Sequence, residues 1–496
     1  MAKSKSLLLV LMLIAFFGDR ALAQNQKPDS VLVVHTVVKG QNLYRISLAY
    51  GVSVAQIMAW NGIDNADYVK EGQQLNIWQY KVVPPKQKLQ EKPQLPTTTT
   101  TNEPEIVSPP SSAEKEPQKT RVNLPFYPAD SSQKNKNNGH DIVYTGTRIA
   151  PKEEEYDSTG LLDISGYISA YTSYYTDSVG SDEYQKFPTL SPHSNEVGIN
   201  LIQVSAKYTS EKVRGVVTLQ WGDMPEAAWS PRYNLVQQAN LGVRIVPKLW
   251  FDIGYFRTHI GLESVQPREN INSTIAVTTF VEPYYLSGAK LTWQVSPKIA
   301  LQANAFSQFN GFVENNRNKA LGFSTVIDPT ENLSMTLNTI TTDDTPEGIK
   351  GKHQRWYNDF YLSWKTKRTV LGFEFNYGQQ TNSGLTDTAA TARIMSSLLA
   401  LKYSIAKKLA IYGRGEFCKD PDGFMAGTYL NGQSKFVGID IWGVTGGIEL
   451  KPITNSYVRF EYRYLNQNQS SGDIFYWQGN YRTYRSEFIF STGFWF

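Results

Sequence analysis

The sequence predicts a mainly β protein, in which a small N-terminal α+β module of βααβ order precedes a C-terminal transmembrane antiparallel β-barrel of about sixteen strands. Two observations predict the barrel. Segments of about 10 to 14 residues with an apolar side chain at every second position recur from Leu161 to Phe496. Short turns alternate with long polar loops between those segments. The 13% aromatic content adds a third, since aromatic bands border lipid-facing barrels.

Residues 1–23 are predicted to be a cleaved signal peptide. Lys3 and Lys5 precede an apolar run from Leu7 to Phe17, and the small-residue site Ala21-Leu22-Ala23 follows. A retained membrane helix would need about 20 apolar residues, roughly twice the length of this run. We therefore expect an exported protein, in which a single cysteine, Cys418, excludes an internal disulfide.

Residues 31–80 have the pattern of a compact module. A β-rich start is followed by a glycine turn and by Asn42, a candidate N-cap for a first helix. Gly51 would end that helix, Ser53 would cap a second one, and the segment "GQQLNIW" is predicted to close the module as a strand. The predicted order is strand, helix, helix, strand.

The motifs "VVKGQNLYRIS", "YGVSVAQIMAWNGI" and "VKEGQQLNI" follow one another, and with them residues 34–80 resemble the LysM family. The resemblance implies binding of peptidoglycan or chitin strands that contain N-acetylglucosamine, in a groove between two loops. The corresponding residues are Gly40, Gln41, Asn42, Leu43, Tyr44, Asn61, Gly62 and Ile63. The first loop departs from the family's common Gly-Asp-Thr-Leu, which leaves the glycan preference open.

Residues of this module also have a structural interpretation. Asn42 and Ser53 could cap helices, and Trp60 could fill the module's core, without any glycan. The set as a whole favours glycan binding, because amides and backbone groups can hydrogen-bond acetamido groups while apolar side chains pack against the sugar ring.

Residues 81–157 are predicted to be a disordered linker. They are rich in Pro, Thr, Ser and mixed charges, and carry too few apolar side chains to form a core. A flexible coil of roughly 75 residues spans about 50 Å, enough to bridge a gap between a membrane and a cell wall. No role is assigned to residues 141–157.

Connection lengths distinguish a barrel from a soluble sandwich, whose strands also alternate. Short turns such as "TSEK" and "KPITNS" alternate with long loops, among them 177–195, 262–281 and 467–482. Strands are expected to start near Leu161, Val197, Val213, Leu235, Leu249, Pro283, Ile299, Ala320, Asn332, Trp356, Val370, Arg393, Leu409, Phe436, Tyr457 and Arg485. If the last strand ends in the periplasm, an even strand number places residue 161, and with it the N-terminal module, on the periplasmic side too.

The inward-facing positions of the predicted strands carry charged residues. Those predicted to line the pore are Arg214, Glu374, Arg414, Glu416, Arg459, Glu461 and Arg463. In a water-filled barrel they would set the field inside the pore. Equally, they could pair with one another and brace the wall or fill the lumen. Their mixed signs argue against strong ion selectivity.

The last nine residues, "FIFSTGFWF", alternate between a lipid side and an inner side. Phe494 and Phe496 lie on the lipid side, and a terminal Phe of this kind resembles the signal by which the barrel assembly machinery recognises outer-membrane barrels. The resemblance implies that machinery and the outer-membrane lipid as partners.

The barrel region resembles the porin-like outer-membrane barrels of diderm bacteria, and "DIGYFRTHIGLE" (Asp252 to Glu263) resembles a strand-end motif of one such family. This implies a porin-like channel for small solutes, tied to peptidoglycan by the LysM module. The alternative is a non-conducting anchor or scaffold between the outer membrane and the cell wall. The transported solute and the oligomeric state are not predicted.

Catalysis and other ligands have little support in the sequence. No hydrolase, Walker or paired-cysteine motif occurs, so we expect no enzyme and no cofactor. The five histidines are scattered, so no metal site is expected either. Asp343 and Asp344 could bind calcium in an outer loop but are better explained as solvated turn residues. A net charge of +4 is too small and dispersed to indicate nucleic acid.

Overall fold

The computed structural model describes most of the barrel and parts of the N-terminal module. The described residues are 30–37, 57, 60, 61, 63, 72–80, 160–177, 184–187, 190–229, 233–309, 317–345, 351–433 and 435–496. The predicted signal peptide and the predicted linker lie outside these residues.

In the N-terminal module, two strands pair antiparallel. Strand β1 (Ser30–Thr36) pairs with β2 (Gln74–Tyr80), and Ser30 lies opposite Tyr80. Ile57 is helical, and both Ile57 and Leu75 on β2 are fully buried. The first and last strands of the predicted βααβ order are thus present, and the second predicted helix includes Ile57.

Sixteen antiparallel strands form a closed barrel, each paired with its neighbour along the chain. They are β3 (Leu161–Tyr175), β4 (Val197–Thr209), β5 (Val213–Trp221), β6 (Val236–Val246), β7 (Leu249–Arg257), β8 (Tyr285–Ser296), β9 (Ile299–Phe306), β10 (Ala320–Thr330), β11 (Leu333–Asp343), β12 (Gln354–Lys365), β13 (Thr369–Gln380), β14 (Ala392–Ala406), β15 (Leu409–Asp420), β18 (Ile439–Leu450), β19 (Ser456–Gln467) and β22 (Tyr484–Trp495). The predicted fold class and strand number are confirmed, and every predicted strand start lies within three residues of an observed one.

Short hairpins and helices occupy the long loops. Strands β16 (Tyr429–Leu430) and β17 (Phe436–Val437) form one hairpin, and β20 (Phe475–Trp477) and β21 (Asn480–Arg482) form another. The helices are α1 (Asp223–Ala228), α2 (Val277–Val281) and the 3-10 turns Pro267–Glu269 and Gln469–Ser471. No helix among the described residues is long and apolar enough to cross a membrane.

The strands present an apolar face outward and a polar face inward, as their period-two pattern predicts. On β19, Phe460 and Tyr462 are 54% and 41% exposed, whereas Arg459, Glu461 and Arg463 are buried. Exposed aromatic residues form a band at each end of the barrel. At the short-turn end these are Tyr208, Trp293, Trp364 and Tyr403, and at the long-loop end Tyr174, Trp356, Tyr377 and Trp442. Such bands mark the two membrane interfaces.

Closure depends on the last strand, β22, which pairs with β19 on one side and with β3 on the other. The Phe496 and Gly166 main chains exchange two hydrogen bonds of 3.1 Å, at the short-turn end. Gly166 leaves room for the Phe496 ring, because a Cβ there would lie 2.5 Å from ring carbons. Both ends of the barrel chain therefore meet at the short-turn end, as an even strand number requires.

One long loop does not stay outside. The connection from β7 to β8, residues 258–284, folds into the barrel and is hereafter the inserted segment. All of its residues except Thr258, Gly261, Arg268 and Phe280 are buried. The prediction of a polar outer loop at 262–281 is therefore wrong in its location: the segment's polar groups face the inner wall instead of solvent.

Deletion of Phe496 should sharply reduce the amount of assembled barrel in the membrane. The deletion removes both closing hydrogen bonds and the ring that covers Gly166, whereas Phe496→Ala removes the ring alone and should have a smaller effect. Heat-modifiable migration in gels of membrane fractions measures assembly. Phe251→Ala, at another exposed outer position, is the matched control and should assemble normally. Wild-type amounts of assembled barrel in the deletion strain would contradict the prediction.

Candidate functional site

The candidate site is the lumen where the inserted segment lies against the inner wall formed by β12 to β22. A chain segment inside a barrel must satisfy its main-chain N–H and C=O groups away from water. The inserted segment has little regular secondary structure of its own, apart from the turn at Pro267–Glu269 and α2. Its main-chain groups therefore need partners both from within the segment and from side chains of the wall.

Wall carboxylates accept hydrogen bonds from the segment's main-chain N–H groups. The pairs are Gly261 to Asp359 (3.0 Å), Leu262 to Glu374 (2.8 Å), Ser273 and Thr274 to Glu461 (2.6 and 2.9 Å), and Val277 to Glu416 (2.7 Å). Bonds to a charged acceptor are stronger than neutral ones. The carboxylates lie on β12, β13, β15 and β19, so the segment is held along a broad arc of the wall.

Wall guanidinium groups complete the arrangement by donating to the segment's carbonyl oxygens. Arg459 donates to the carbonyls of Pro267, Asn270 and Asn272 at 2.9 to 3.0 Å. Arg414 donates to the carbonyl of Thr274 at 2.7 Å. Arg459, Arg414 and Glu416 thus each bind a main-chain group of the segment and also form an ion pair.

Charged side chains of the wall, the inserted segment and the loop after β3 form a ladder of alternating sign. Its successive members are Glu263, Arg414, Glu416, Arg463, Glu487, Arg485, Asp177 and Lys186, with N to O distances from 2.6 to 3.6 Å. Four acidic and four basic residues balance, so the ladder adds no net charge to the lumen when all are ionised. A second short chain joins Lys402, Glu449 and Arg459.

Within the inserted segment, Glu269 is held ionised by the end of β7. Arg257 donates to both of its carboxylate oxygens, at 3.2 and 2.5 Å. Burial alone would raise the pKa of Glu269, but the charge and hydrogen bonds of Arg257 outweigh it and lower that pKa to about 2. This pair ties the segment's first turn to the strand that precedes it.

The predicted pore-lining residues all lie on the inner face, in two groups. The first group is buried, and its members are Glu374, Arg414, Glu416, Arg459, Glu461 and Arg463. All of them contact the inserted segment except Arg463, which donates to Glu416. Arg214 lies on the far wall, paired with Asp252 at 2.5 Å, and its side chain stays 21% exposed.

Of the predicted glycan-binding residues, the structure describes Asn61 and Ile63; Gly40, Gln41, Asn42, Leu43, Tyr44 and Gly62 lie outside the described residues. The Asn61 amide donates to the carbonyls of Ile57 and Asn76, both at 2.8 Å, and accepts from the Asn76 N–H at 2.6 Å. Asn61 therefore joins the second helix to β2.

Several functional residues of the lumen were not identified from the sequence. Asp359 had a usable signal, since it alternates with Tyr357 and Tyr361 on the inner face of β12. Glu263 and Glu282 had none, because they belong to a stretch that resembles an ordinary polar loop. Asp343, predicted in an outer loop, is the last residue of β11 and accepts a hydrogen bond from Thr345, and Asp344, which follows it, accepts one from Thr342.

Comparison with known proteins identifies the two parts of the chain. Residues 161–496 match the family described as "Putative beta-barrel porin-2, OmpL-like", and residues 35–78 match the LysM domain. The chain belongs to the OmpL-like β-barrel porin-2 family. It is a porin-like outer-membrane β-barrel with an N-terminal LysM domain. No curated protein matches the chain.

Solved outer-membrane barrels are similar in fold. The anion-selective porin from Comamonas acidovorans is 8% identical over 68% of this chain and 100% of its own, with a TM-score of 0.45. The outer membrane channel DcaP of Acinetobacter baumannii is 9% identical over 68% of this chain and 97% of its own, with a TM-score of 0.47. Outer-membrane expressed OmpT of Vibrio cholerae is 14% identical over 69% of this chain and 99% of its own, with a TM-score of 0.44. Likenesses at this level carry nothing about solute or partner.

Arg459→Met should lower the free energy of unfolding by about 3 kcal/mol, because it leaves buried carbonyls of the segment without donors. Glu449 keeps Lys402 as its partner, so the loss falls on the segment. The freed segment should also become cleavable by trypsin after Arg268, detected by mass spectrometry of full-length protein in detergent.

Arg244→Met is the control for this substitution. Arg244 pairs with Glu211 near a short turn, where the side chains are 25% and 55% exposed, so the loss should stay below about 1 kcal/mol. Equal stability of both variants, with Arg268 protected in both, would show that Arg459 does not hold the segment.

Proposed function

We propose that this protein is a porin-like channel for small solutes in the outer membrane, anchored to peptidoglycan by its LysM domain. The observation that carries the channel is the uneven lining of the lumen. The inserted segment covers the wall from β12 to β22 and leaves polar side chains partly exposed on the inner face of β5 to β8. These are Arg214, Gln238, Asn240 and Lys290.

The inserted segment would act as the constriction of this channel. Its main-chain groups are held by buried charges, so it is a fixed narrowing and not a loose lid. Because the wall ladder is balanced, small solutes of either charge would meet a weak net field beside it. No covalent chemistry is part of this mechanism.

The tether is supported by the direction in which the chain leaves the barrel. Residue 160 precedes β3 at the short-turn end, and outer-membrane barrels keep their short turns in the periplasm. Peptidoglycan lies in that compartment, and LysM domains generally bind glycans that contain N-acetylglucosamine. The N-terminal domain would therefore meet its ligand on the side where it emerges.

A second candidate is a non-conducting anchor. It is favoured by the burial of Glu374, Arg414, Glu416, Arg459, Glu461 and Arg463, which leaves no open water around the inner face of β13 to β19. In that case the inserted segment would be a plug and the protein would serve as a link between outer membrane and cell wall.

Planar bilayer recordings separate the two candidates. Full-length protein should give discrete conductance steps, and a variant in which residues 262–281 are replaced by a short Gly-Ser linker should give steps several times larger. Shortening the loop at 381–391, which stays at the long-loop end, is the matched control and should leave the steps unchanged. Conductance steps from the 262–281 replacement but not from the full-length protein would favour the plug. No steps from the full-length protein or from this replacement would exclude a channel.

Full-length protein in detergent should sediment with purified peptidoglycan, and Tyr44→Ala should weaken this binding. Tyr44 is chosen because Asn61→Ala would break the domain's own hydrogen bonds. N-acetylglucosamine oligomers should compete for binding. A variant without residues 31–80 should keep a heat-modifiable barrel and stay in the supernatant. Equal sedimentation of the full-length protein and this variant would rule out tethering by the LysM domain.

A further inference from the structure

Three carboxylates meet where the inserted segment rejoins the wall. Glu282 lies at the end of the segment, Asp359 on β12 and Glu374 on β13, and each is at most 2% exposed. One carboxylate oxygen from each residue lies within 4.8 Å of the other two. Residues far apart in the sequence thus form a compact acidic cluster inside the barrel.

This cluster has no basic partner among the described residues. None of the three carboxylates takes part in any of the ion pairs that join the other wall charges. Buried acids of one sign need either shared protons or a cation.

The second observation is a set of oxygen atoms without partners. Oε2 of Glu282 and Oδ1 of Asp359 are buried and accept no hydrogen bond. The other oxygen of Asp359 accepts from Gly261 N–H at 3.0 Å and from the Asn338 amide at 2.7 Å, so the carboxylate is fixed in orientation. The free oxygens are therefore held in place without a protein donor.

A buried amide outside the acidic set is aimed into the cluster. Nδ2 of Asn376 donates to Glu374 at 2.5 Å and to Glu282 at 2.9 Å, while its Oδ1 is buried without a partner. The two amide orientations exchange Nδ2 and Oδ1. A half-turn would bring a fourth oxygen toward the three carboxylates, an arrangement that is favourable around a cation.

Gly261 supports the same geometry from the segment's beginning. Its φ of +90° lies in the left-handed region that favours glycine. The Glu282 carboxylate also approaches so closely that a Cβ would overlap its Oε2. A small cavity of about 30 Å³ lies beside Gly261, and Glu282 is among its lining residues. The cavity thus reaches one of the three carboxylates, and Asp359 and Glu374 do not line it.

We propose that Glu282, Asp359 and Glu374 bind a divalent metal ion, and that this ion fastens the inserted segment to β12 and β13. Calcium is the ion that fits, because the donors are all oxygens, three are carboxylates, and irregular sets with ligands at about 2.3 to 2.6 Å suit it. Magnesium demands a more regular octahedron and keeps several waters. The ion would stiffen the constriction and supply the positive charge that the cluster lacks.

Terbium luminescence tests the site in full-length protein stripped with EDTA in detergent. Terbium should bind at one saturable site, with excitation through Tyr357, whose hydroxyl lies 3.4 Å from Glu282. Calcium should displace it. Asp359→Asn and Glu374→Gln should weaken calcium binding by about tenfold or more, since each removes one charged ligand. The double variant Asp343→Asn, Asp344→Asn, at the long-loop end of β11, is the matched control and should bind as wild type.

Thermal unfolding in guanidinium gives an independent measurement. Calcium should raise the midpoint of wild-type protein by several degrees and leave Glu374→Gln unchanged. If Glu374→Gln does not fold, Glu282→Gln, on the segment and not the wall, takes its place. Absence of terbium and calcium binding in wild type, with Gln variants at least as stable, would show proton sharing and overturn the proposal. Conductance is measured separately, so this result leaves the channel hypothesis untouched.

Discussion

The structure depends on one constraint: a main-chain polar group removed from water must find a partner. In the wall this is met by closure, because β22 pairs on both sides and the Phe496 main chain bonds to Gly166. In the lumen the constraint returns, since the inserted segment cannot join the sheet. There, charged side chains of the wall take the place of a neighbouring strand.

This explains the charges of the inner face. Arg459 and Glu461 sit two residues apart on β19, and one contacts carbonyls of the segment while the other contacts its N–H groups. A mixed-sign lining therefore suits the two signs of the peptide group. Where no base is available, at Glu282, Asp359 and Glu374, the balance is missing, and a metal ion would restore it.

Much of the fold could be predicted from local pattern. Strand parity placed Phe460 outward and Arg463 inward, because side chains alternate strictly along an extended chain. Loop asymmetry and an even strand number then placed the chain ends. The contents of the lumen could not be predicted, because Arg459 and its partner Pro267 are 192 residues apart and no local periodicity connects them.

By itself the sequence determined the barrel, its strand number and the two faces of each strand, since these depend on a period of two residues and on turn composition. It also determined the LysM domain, whose motifs lie within one short stretch. The tertiary structure alone decided that residues 258–284 enter the barrel and that the inner charges serve their main chain. The reason is physical: a polar loop can satisfy its peptide groups with water or with a charged wall, and only the closed barrel brings that wall within reach.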